Sequence, residues 1–334
     1  MKNKKKIIFS LPSKGSLHHS TLEYLKSIGM EVWRAGERVY RGKMSNFQEV
    51  DVLFQNANEI PRMIVQGDAD LGVTGLDIIT ERFWDRQTPL DIFYPDLKYG
   101  RAGLVLAVPV EWYDIKNFED LRYLAEDWYA HGRKLQIATK FPHLTSSFLR
   151  ERHLWNFEIQ HSVGSTELAP EMGFSDIIAD LSSTGKTLEA NRLKELEGGV
   201  IFTSQACLVG NGGNILKSRE KRDFLSYLIH RTDALHASKK IKKLFFTMKN
   251  SHVKKFCKII ETLDVPSHSQ QAVGTDESQI SVILKEERLE SLLRETHDMD
   301  IRDVRAEDVS YLLAADRSRT TEIFRILKQK YPEK

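Results

Sequence analysis

The sequence predicts an α/β fold with two lobes, followed by a smaller α+β domain. A length of 334 residues corresponds to two or three domains of roughly 100 to 200 residues each. From residue 7 to about residue 210, short runs rich in β-branched residues alternate with segments of helical period. This alternation is typical of strands that are joined by helices. Beyond about residue 240 the order of predicted elements changes.

The first part begins with a strand at residues 7–11 and a helix at 17–28, which Gly29 ends. Further strands are predicted at 52–54, 71–73, 104–108, 135–138, 158–161, 177–180 and 199–202. Helices are predicted at 59–66, 76–81, 145–153, 188–193 and 218–238. The alternation predicts largely parallel strands, and its length fits two lobes with a cleft between them.

The C-terminal part has strands predicted at 243–248, 267–273, 279–284 and 300–304, and helices at 251–263 and 286–296. The order strand, helix, strand, strand, helix, strand predicts a ferredoxin-like domain. A last helix is predicted at 306–330.

Composition and charge exclude several classes of function. The 49 basic and 47 acidic residues leave a net charge of +2, so no nucleic-acid partner is predicted. The apolar run after residue 6 is too short for a signal peptide, and no run reaches the length of about 18 residues that crosses a membrane. We therefore expect a soluble, cytoplasmic protein with no membrane partner, in which Cys207 and Cys257 are reduced thiols.

The strongest local motif is Asp180-Leu-Ser-Ser-Thr-Gly-Lys-Thr187, which follows a predicted strand and precedes a predicted helix. A turn of small hydroxyl residues and one glycine lets N–H groups and hydroxyls converge on a phosphate at a helix N-terminus. The carboxylate of Asp180 can accept hydrogen bonds from two ribose hydroxyls, or hold them through a magnesium ion. The motif therefore predicts a site for a sugar that carries a 5′-phosphate.

Two alternatives compete with this interpretation. Gly185-Lys186-Thr187 resembles the end of a Walker A loop, but that loop needs a glycine five positions before Gly185, where Asp180 stands. A nucleotide-hydrolysing P-loop is therefore disfavoured. The second alternative is a capped turn without a ligand, because Ser and Thr are common helix N-caps.

Four separated segments resemble ATP phosphoribosyltransferase, the enzyme that opens histidine biosynthesis. In chain order they are Leu11-Pro-Ser-Lys-Gly15, Ala69-Asp-Leu-Gly-Val-Thr-Gly-Leu-Asp77, Ile137-Ala-Thr-Lys-Phe-Pro-His-Leu-Thr145, and Glu167-Leu-Ala-Pro170 followed by the segment Asp176 to Asn191. Any one segment would be a weak match, but four in the right order are specific. The resemblance is close over residues 7–210 and looser beyond, where the chain is similar to the regulatory domain of the family's long form.

The resemblance implies a catalytic part built like a two-lobed periplasmic binding protein. Residues 1–102 and 185–217 would form lobe I, residues 103–184 lobe II with the phosphate loop, and residues 218–334 a C-terminal regulatory-type domain. The implied reaction transfers the phosphoribosyl group of 5-phosphoribosyl pyrophosphate (PRPP) to N1 of ATP and releases pyrophosphate. Mg²⁺ as cofactor, dimers that assemble into hexamers and feedback inhibition by histidine are also implied.

The resemblance also implies roles for individual residues. The implied catalytic residues are Asp180, Lys14 and Glu167. The implied PRPP-binding residues are Asp180, Ser182, Ser183, Thr184, Gly185, Lys186 and Thr187. The implied ATP-binding residues are Lys14, Gly15, Ser16, Asp70, Gly75, Asp77 and Arg34, and the implied metal ligands are Asp176 and Asp180. The alternative for Glu167 and Asp176 is a helix cap, and that for Lys14 an ordinary loop lysine.

The chain departs from the family pattern at two positions. Ser16 stands where many members carry arginine, and Lys186 where many carry a small residue. We expect the ammonium of Lys186 to serve the anion that the missing arginine would contact. The C-terminal region is also longer than the long form leads us to expect. Its turn Gly274-Thr-Asp-Glu277 offers acidic side chains and backbone N–H groups for a histidine effector, and the alternative for this turn is a polar hairpin loop without a ligand.

Two further functions are weighed against the transferase. A catalytically silent nucleotide-binding regulatory subunit of the same fold is the first, and the intact Asp180 and its hydroxyl-rich loop argue against it. A type I phosphoribosyltransferase is the second, but its loop normally has two adjacent acidic residues, whereas Ala179 precedes Asp180 here.

Overall fold

The computed structural model describes residues 6–36, 38–83, 88–162, 164–263, 265, 267–273, 275–310 and 318–332. These residues divide into two compact units, the first made of Met1–Lys26, Met30–Arg222 and Ile326–Lys334, and the second of Ser27–Gly29 and Asp223–Arg325. Within the described ranges, no helix is long and apolar enough to cross a membrane.

The strands of the first part, in chain order, are β1 (Ile7–Pro12), β2 (Val32–Arg34), β3 (Arg41–Met44), β4 (Phe47–Gln55), β5 (Leu71–Gly75), β6 (Asp91–Tyr94), β7 (Ala102–Pro109), β8 (Leu135–Thr139), β9 (Phe157–His161), β10 (Ile177–Ser182), β11 (Leu193–Ser204) and β12 (Ala206–Gly210). The helices are α1 (Ser16–Ser27), α2 (Ile60–Gln66), α3 (Leu76–Arg82), α4 (Phe118–Ala130), α5 (Pro142–Glu151), α6 (Lys186–Ala190), α7 (Gly212–Leu216) and α8 (Arg219–Ser238). A 3-10 helix covers Thr166–Leu168.

These elements form two sheets, which confirms the two-lobed α/β catalytic part. Lobe I contains the seven-stranded sheet β2-β3-β4-β1-β5-β12-β6, and lobe II the five-stranded sheet β11-β7-β10-β8-β9. We propose that lobe II continues to the end of β11, and that the chain returns to lobe I at β12. The domain boundaries given above otherwise remain predictions.

The expectation of largely parallel strands is wrong, because both sheets are mixed. In lobe I, β4, β1 and β5 are parallel, whereas β12 is antiparallel to β5 and β6. In lobe II, β10, β8 and β9 are parallel, whereas β7 is antiparallel to β10 and β11. The chain changes lobe before β7 and before β12, and each entering strand runs against its neighbours. The alternation of strand and helix segments, on which the expectation rested, does not show where the chain changes lobe.

Two segments connect the lobes, one from Pro95 to Arg101 and the other at Gln205, between β11 and β12. They lie side by side. The N–H of Leu97 donates to the carbonyl of Ala206 at 3.0 Å, and the N–H of Ala206 donates to the carbonyl of Tyr99 at 3.0 Å. These bonds make the two connections one short hinge.

Buried β-branched and aromatic side chains form the cores on either side of each sheet. In lobe I, Phe9 on β1 and Phe54 on β4 are fully buried. In lobe II, one face packs Leu106, Ile137 and Ala179 against α4 and α5, and the opposite face packs Ala138 and Ile178 near the phosphate loop. The strands of lobe II are therefore buried on both faces, which holds their ends in fixed positions.

The C-terminal part contains the strands β13 (Ile241–Lys249), β14 (Ser267–Val273), β15 (Glu277–Lys285) and β16 (Ile301–Asp308), and the helices α9 (Asn250–Thr262), α10 (Leu289–Glu295) and α11 (Ser318–Lys330). Its sheet has the order β14-β15-β13-β16 with antiparallel neighbours. The rings of Phe246 and Phe256, 4.7 Å apart, lie at the centre of its core. The predicted ferredoxin-like order is confirmed.

Two predicted helices have different bounds in the structure. The helix predicted at 306–330 starts too early, because β16 continues to Asp308 and Ala306 pairs with Leu244 on β13. The helix predicted at 188–193 ends at Ala190, since Leu193 already begins β11. In both places, pairing in a sheet overrides a local helical pattern.

Gly72 provides a test of how tightly lobe I is packed. A Cβ at this position would lie 2.4 Å from the Cγ2 of Ile60, whereas a Cβ at Gly36 would meet no atom within 4 Å. We expect Gly72→Ala to lower the free energy of unfolding by about 1–3 kcal/mol, and Gly36→Ala to leave it nearly unchanged. Chemical denaturation of both variants checks this, and equal stabilities would contradict the packing described.

Candidate functional site

The candidate phosphate loop, from Ser182 to Thr187, begins at the last residue of β10. Gly185 is the N-cap of α6 and has a φ of 74°, a conformation that glycine adopts without strain. Its N–H donates to the hydroxyl of Ser182 at 3.2 Å, which closes the turn. Ser183, Thr184, Lys186 and Thr187 are exposed. The loop therefore presents hydroxyls, an ammonium and a helix start to the solvent, as an anion site requires.

Asp180 lies on β10, just before this loop. Its carboxylate accepts a hydrogen bond from the N–H of Leu181 at 2.8 Å. Burial raises the pKa of Asp180 above its ordinary value, and the nearby charge of Glu167 raises it further. The N–H of Leu181, the charge of Lys140 and the hydroxyl of Thr166 lower the pKa. A partly buried carboxylate at the end of a strand is well placed to accept hydrogen bonds from a ligand.

Lys140 joins this group through the pairing of parallel strands. Thr139 at the end of β8 is the register partner of Ala179 on β10, so the next residues, Lys140 and Asp180, are neighbours. The carboxyl ends of parallel strands are where ligands bind in α/β sheets. Lys140 belongs to one of the four segments that resemble the family, but its position beside Asp180 depends on the strand register, which is not readable from the chain.

Glu167 approaches the same point from a different element. It belongs to the 3-10 helix Thr166–Leu168, whose Thr166 hydroxyl donates to the hydroxyl of Ser162 at 3.1 Å. Glu167 is close enough to Asp180 for its charge to raise the pKa of that carboxyl. The structure thus brings together a cation and two carboxylates beside the phosphate loop.

Asp176 lies at the opposite end of β10. Its carboxylate accepts a hydrogen bond from the N–H of Gln136 at 2.8 Å and pairs with Arg133. Asp180 lies four positions after Asp176 along extended chain, which is about 13 Å at 3.3 Å per residue. The two carboxylates therefore do not share one metal ion, and the described residues contain no cluster of three side chains suited to hold a metal.

A pocket of about 570 Å³ opens beside the same 3-10 helix in lobe II. Its lining includes the apolar side chains of Leu168, Met172 and Phe174 and the polar side chains of His161 and Ser162. Met172 and Phe174 are largely exposed. The pocket and the Asp180 group share the segment that carries Glu167.

The first loop of lobe I lies at the carboxyl end of β1. Lys14, Gly15 and Ser16 are exposed there, and Gly15 has a φ of 77°. The N–H of Ser13 donates to the carbonyl of Gln55 at 2.7 Å, which ties the loop to β4. Because α1 begins at Ser16, a second helix start faces the solvent at this loop.

The chain was compared with known proteins. Residues 56–233 match the family model described as HisG: ATP phosphoribosyltransferase. A protein named ATP phosphoribosyltransferase from Sinorhizobium medicae is 41% identical over 221 residues, which cover 64% of this chain and 95% of the relative. One of the same name from Chelativorans sp. is 42% identical over 206 residues, 61% of this chain and 89% of the relative.

The chain belongs to the ATP phosphoribosyltransferase family. A solved structure described as the ATP phosphoribosyl transferase (HisG:HisZ) complex from Thermotoga maritima is also similar, with 27% identity, a TM-score of 0.51, and coverage of 68% of this chain and 98% of that one. The resemblance described in the sequence analysis is thereby confirmed, and the chain is a phosphoribosyltransferase of histidine biosynthesis. The family model ends before β13.

The residues predicted to bind the nucleotide in this family member fall into two groups. Lys14, Gly15 and Ser16 lie on the exposed loop described above. Asp70 and Asp77 are buried, at 6% and 5% exposure. Asp70 binds the Nζ of Lys221 at 2.5 Å and the N–H of Ile8 at 3.0 Å. These contacts stabilise lobe I and leave Asp70 little capacity for a ligand.

The remaining two residues, Gly75 and Arg34, fall outside these two groups, and Asp77 has a further contact. The Asp77 carboxylate accepts a hydrogen bond from the Ser204 hydroxyl, and burial raises the pKa of Asp77. Gly75 is the N-cap of α3, and a Cβ there would lie 2.3 Å from an Asp77 oxygen, so a larger residue would displace the Asp77 carboxylate. The guanidinium of Arg34 lies 4.4 Å from the ring centre of Phe54, and its Nε donates to the carbonyl of Val39.

The charges around Asp180 predict opposite effects of two neutral substitutions. Lys140→Met removes a charge that lowers the pKa of Asp180, so we expect a higher pKa. Glu167→Gln removes a charge that raises it, so we expect a lower pKa. Carboxyl ¹³C NMR titration of the ligand-free protein measures both shifts. Lys134→Met, at the amino end of β8, is the matched control, and shifts of the same sign in both test variants would contradict this geometry.

Proposed function

We propose that the chain transfers the phosphoribosyl group of PRPP to N1 of ATP and releases pyrophosphate, the first step of histidine biosynthesis. The observation that carries this proposal is the position of Asp180 directly before the loop Ser182–Thr187, at the carboxyl end of two parallel strands. Family membership supplies the reaction class, and the loop supplies a site for a sugar phosphate.

In this proposal the loop binds the 5′-phosphate of PRPP. The residues that do so are Ser182, Ser183, Thr184, Gly185, Lys186 and Thr187. Asp180 accepts hydrogen bonds from the ribose hydroxyls, and a carboxylate acceptor makes such bonds charge-assisted. Together these contacts orient C1 of the ribose toward the second substrate.

The leaving pyrophosphate needs positive charge. As the bond from C1 to pyrophosphate breaks, the sugar becomes oxocarbenium-like and negative charge collects on the leaving group, so cations placed there lower the barrier. Lys14 from lobe I and Lys140 from lobe II are the cations that we assign to this role. No covalent intermediate on the protein is required.

The residues beside the loop fit a magnesium ion. Asp180 and Glu167 provide carboxylate oxygens, and Mg²⁺ usually combines one or two carboxylates with phosphate oxygens and water. When bound, the ion would neutralise charge on the pyrophosphate. Asp176 is not part of this site, because it lies at the other end of β10.

We assign ATP to the loops at the carboxyl ends of β1 and β5. Lys14, Gly15 and Ser16 serve the triphosphate, with Arg34 near the adjacent end of β4. Gly75 admits the adenine edge at the end of β5. We leave Asp70 and Asp77 out of the ATP site, because both carboxylates are engaged within the protein.

The test is turnover of ATP and PRPP with Mg²⁺. We expect Asp180→Asn to weaken PRPP use by about 1.5–3 kcal/mol, roughly 10-fold to 100-fold, while ATP affinity changes little. Asp127→Asn, an exposed carboxylate on α4, is the control. A folded Asp180→Asn variant with unchanged kinetics would remove Asp180 from the site.

The same assay separates the alternatives. Turnover with adenine or orotate in place of ATP would indicate a type I enzyme. Nucleotide binding without turnover would indicate a silent regulatory subunit.

We further propose that the C-terminal domain regulates the enzyme by binding histidine. Gly274 of the predicted histidine turn lies outside the described residues, and the Glu277 carboxylate binds Arg302 at 3.0 Å. Histidine shifts the enzyme only if it binds one assembled state better than another. Assembly from dimers to hexamers and a cytoplasmic location remain predictions.

We expect millimolar histidine to inhibit turnover of the full chain and to change its sedimentation. A titration that leaves both unchanged would refute the regulatory proposal without touching the catalytic one.

A further inference from the structure

Helix α3 carries two carboxylates that both contact lobe II. Asp77 and Glu81 are four residues apart and lie on the same face of the helix. The Asp77 carboxylate accepts from the hydroxyl of Ser204, at the end of β11, and the Asp77 N–H donates to that hydroxyl at 3.1 Å. Glu81 reaches further from the hinge, to the first turn of α5.

The contact of Glu81 is a bidentate one with backbone groups. Its Oε1 accepts from the N–H of His143 at 2.8 Å, and its Oε2 accepts from the N–H of Leu144 at 2.9 Å. The first N–H groups of a helix have no partner within the helix and are normally satisfied by the side chain of the N-cap residue. The N-cap of α5 is Phe141, whose side chain has no acceptor. The other lobe therefore supplies the cap.

This contact lies next to the candidate site. Lys140 comes directly before Phe141, and the N–H of Phe141 donates to the Thr139 hydroxyl at 2.9 Å, so the end of β8 and the start of α5 form one rigid turn. The hinge joins the lobes at Gln205, and Glu81 joins them again at the turn that carries Lys140. With both links in place, the distance between the loops of the two lobes is fixed.

We propose that Glu81 is a positioning residue for phosphoribosyl transfer, which holds the start of α5, and with it Lys140, at the cleft width that both substrates need. The proposal rests on the proposed function. Opening the cleft exposes two uncapped N–H groups of α5 and one carboxylate, so Glu81 favours the closed arrangement. In this proposal only the closed arrangement binds both substrates, so loss of the Glu81 contact weakens the binding of ATP and of PRPP by the same factor, the fraction of closed protein that is lost.

The test variant is Glu81→Gln, which keeps the size of the side chain but removes its charge and turns one acceptor into a donor. Hydrogen exchange at the amides of His143 and Leu144 reports the contact directly, and steady-state kinetics reports its consequence. We expect faster exchange, and KM values for PRPP and ATP that rise together by roughly tenfold. Glu151→Gln, exposed at the other end of α5, is the control.

A joint rise of both KM values distinguishes a positioning residue from a residue that contacts one ligand. Asp180→Asn, in contrast, is expected to weaken the use of PRPP alone. Faster exchange with unchanged kinetics would make Glu81 a helix cap and overturn the proposal. Unchanged exchange would overturn it too, since the contact would then not hold in solution. If Glu81→Gln lowers the melting temperature below that of the assay, Glu81→Asp, which keeps the charge on a shorter side chain, should show smaller changes in the same direction.

Failure of the proposed function is distinguishable from failure of this inference. If the unmodified chain does not turn over ATP and PRPP, the positioning role falls with the reaction. The exchange measurement would still establish whether Glu81 holds α5.

Discussion

The parallel pairing of β8 with β10 is the constraint on which the candidate site depends. The register of Thr139 with Ala179 places Lys140 beside Asp180, although 40 residues of chain separate them. Both strands are buried on two faces, so neither can slip without moving a core side chain to the wrong side of the sheet. The charge around Asp180 is therefore set by the packing of lobe II and not by the loop itself.

The same packing explains why a carboxylate with a raised pKa can serve a binding site. Burial of Asp180 disfavours its charge, and the N–H of Leu181 and the cation of Lys140 partly offset that cost. A carboxylate that retains few water contacts has less solvent to lose when ribose hydroxyls arrive. The neighbouring Glu167 increases the cost, and a magnesium ion between the two carboxylates would remove this repulsion.

Local motifs were readable from the sequence, and contacts between distant segments were not. The segment from Asp180 to Thr187 was found because all its functional groups lie on one continuous stretch. Helix α4 was missed in a stretch rich in polar and aromatic residues, although its capping box, Asn117 with Asp120, was a readable signal.

Two acidic residues of lobe I show this limit on sequence interpretation more sharply. Asp70 and Asp77 were assigned to ATP because their segment matches a family motif, but Lys221 and Ser204 are their partners. These partners lie 151 and 127 residues away along the chain. Glu81 attracted no interest in the sequence, because an acidic residue near a helix end usually faces water. Nothing local distinguishes a carboxylate that reaches another lobe from one that is solvated.

An acidic residue on β11, Glu195, contacts the phosphate loop and gives a physical reason for a lysine at position 186. The Ser182 hydroxyl donates to the carboxylate of Glu195 at 2.5 Å, and Glu195 also approaches Gly185. In the proposed function, a phosphate bound in the loop competes with Glu195 for this hydroxyl and lies close to the Glu195 carboxylate. Like charges at such distances repel, and because Glu195 is exposed the surrounding solvent moderates this repulsion. An ammonium in the loop offsets this repulsion, whereas the small residue that many family members carry at that position would not. The departure at Lys186 and the carboxylate of Glu195 are therefore best understood as one electrostatic unit.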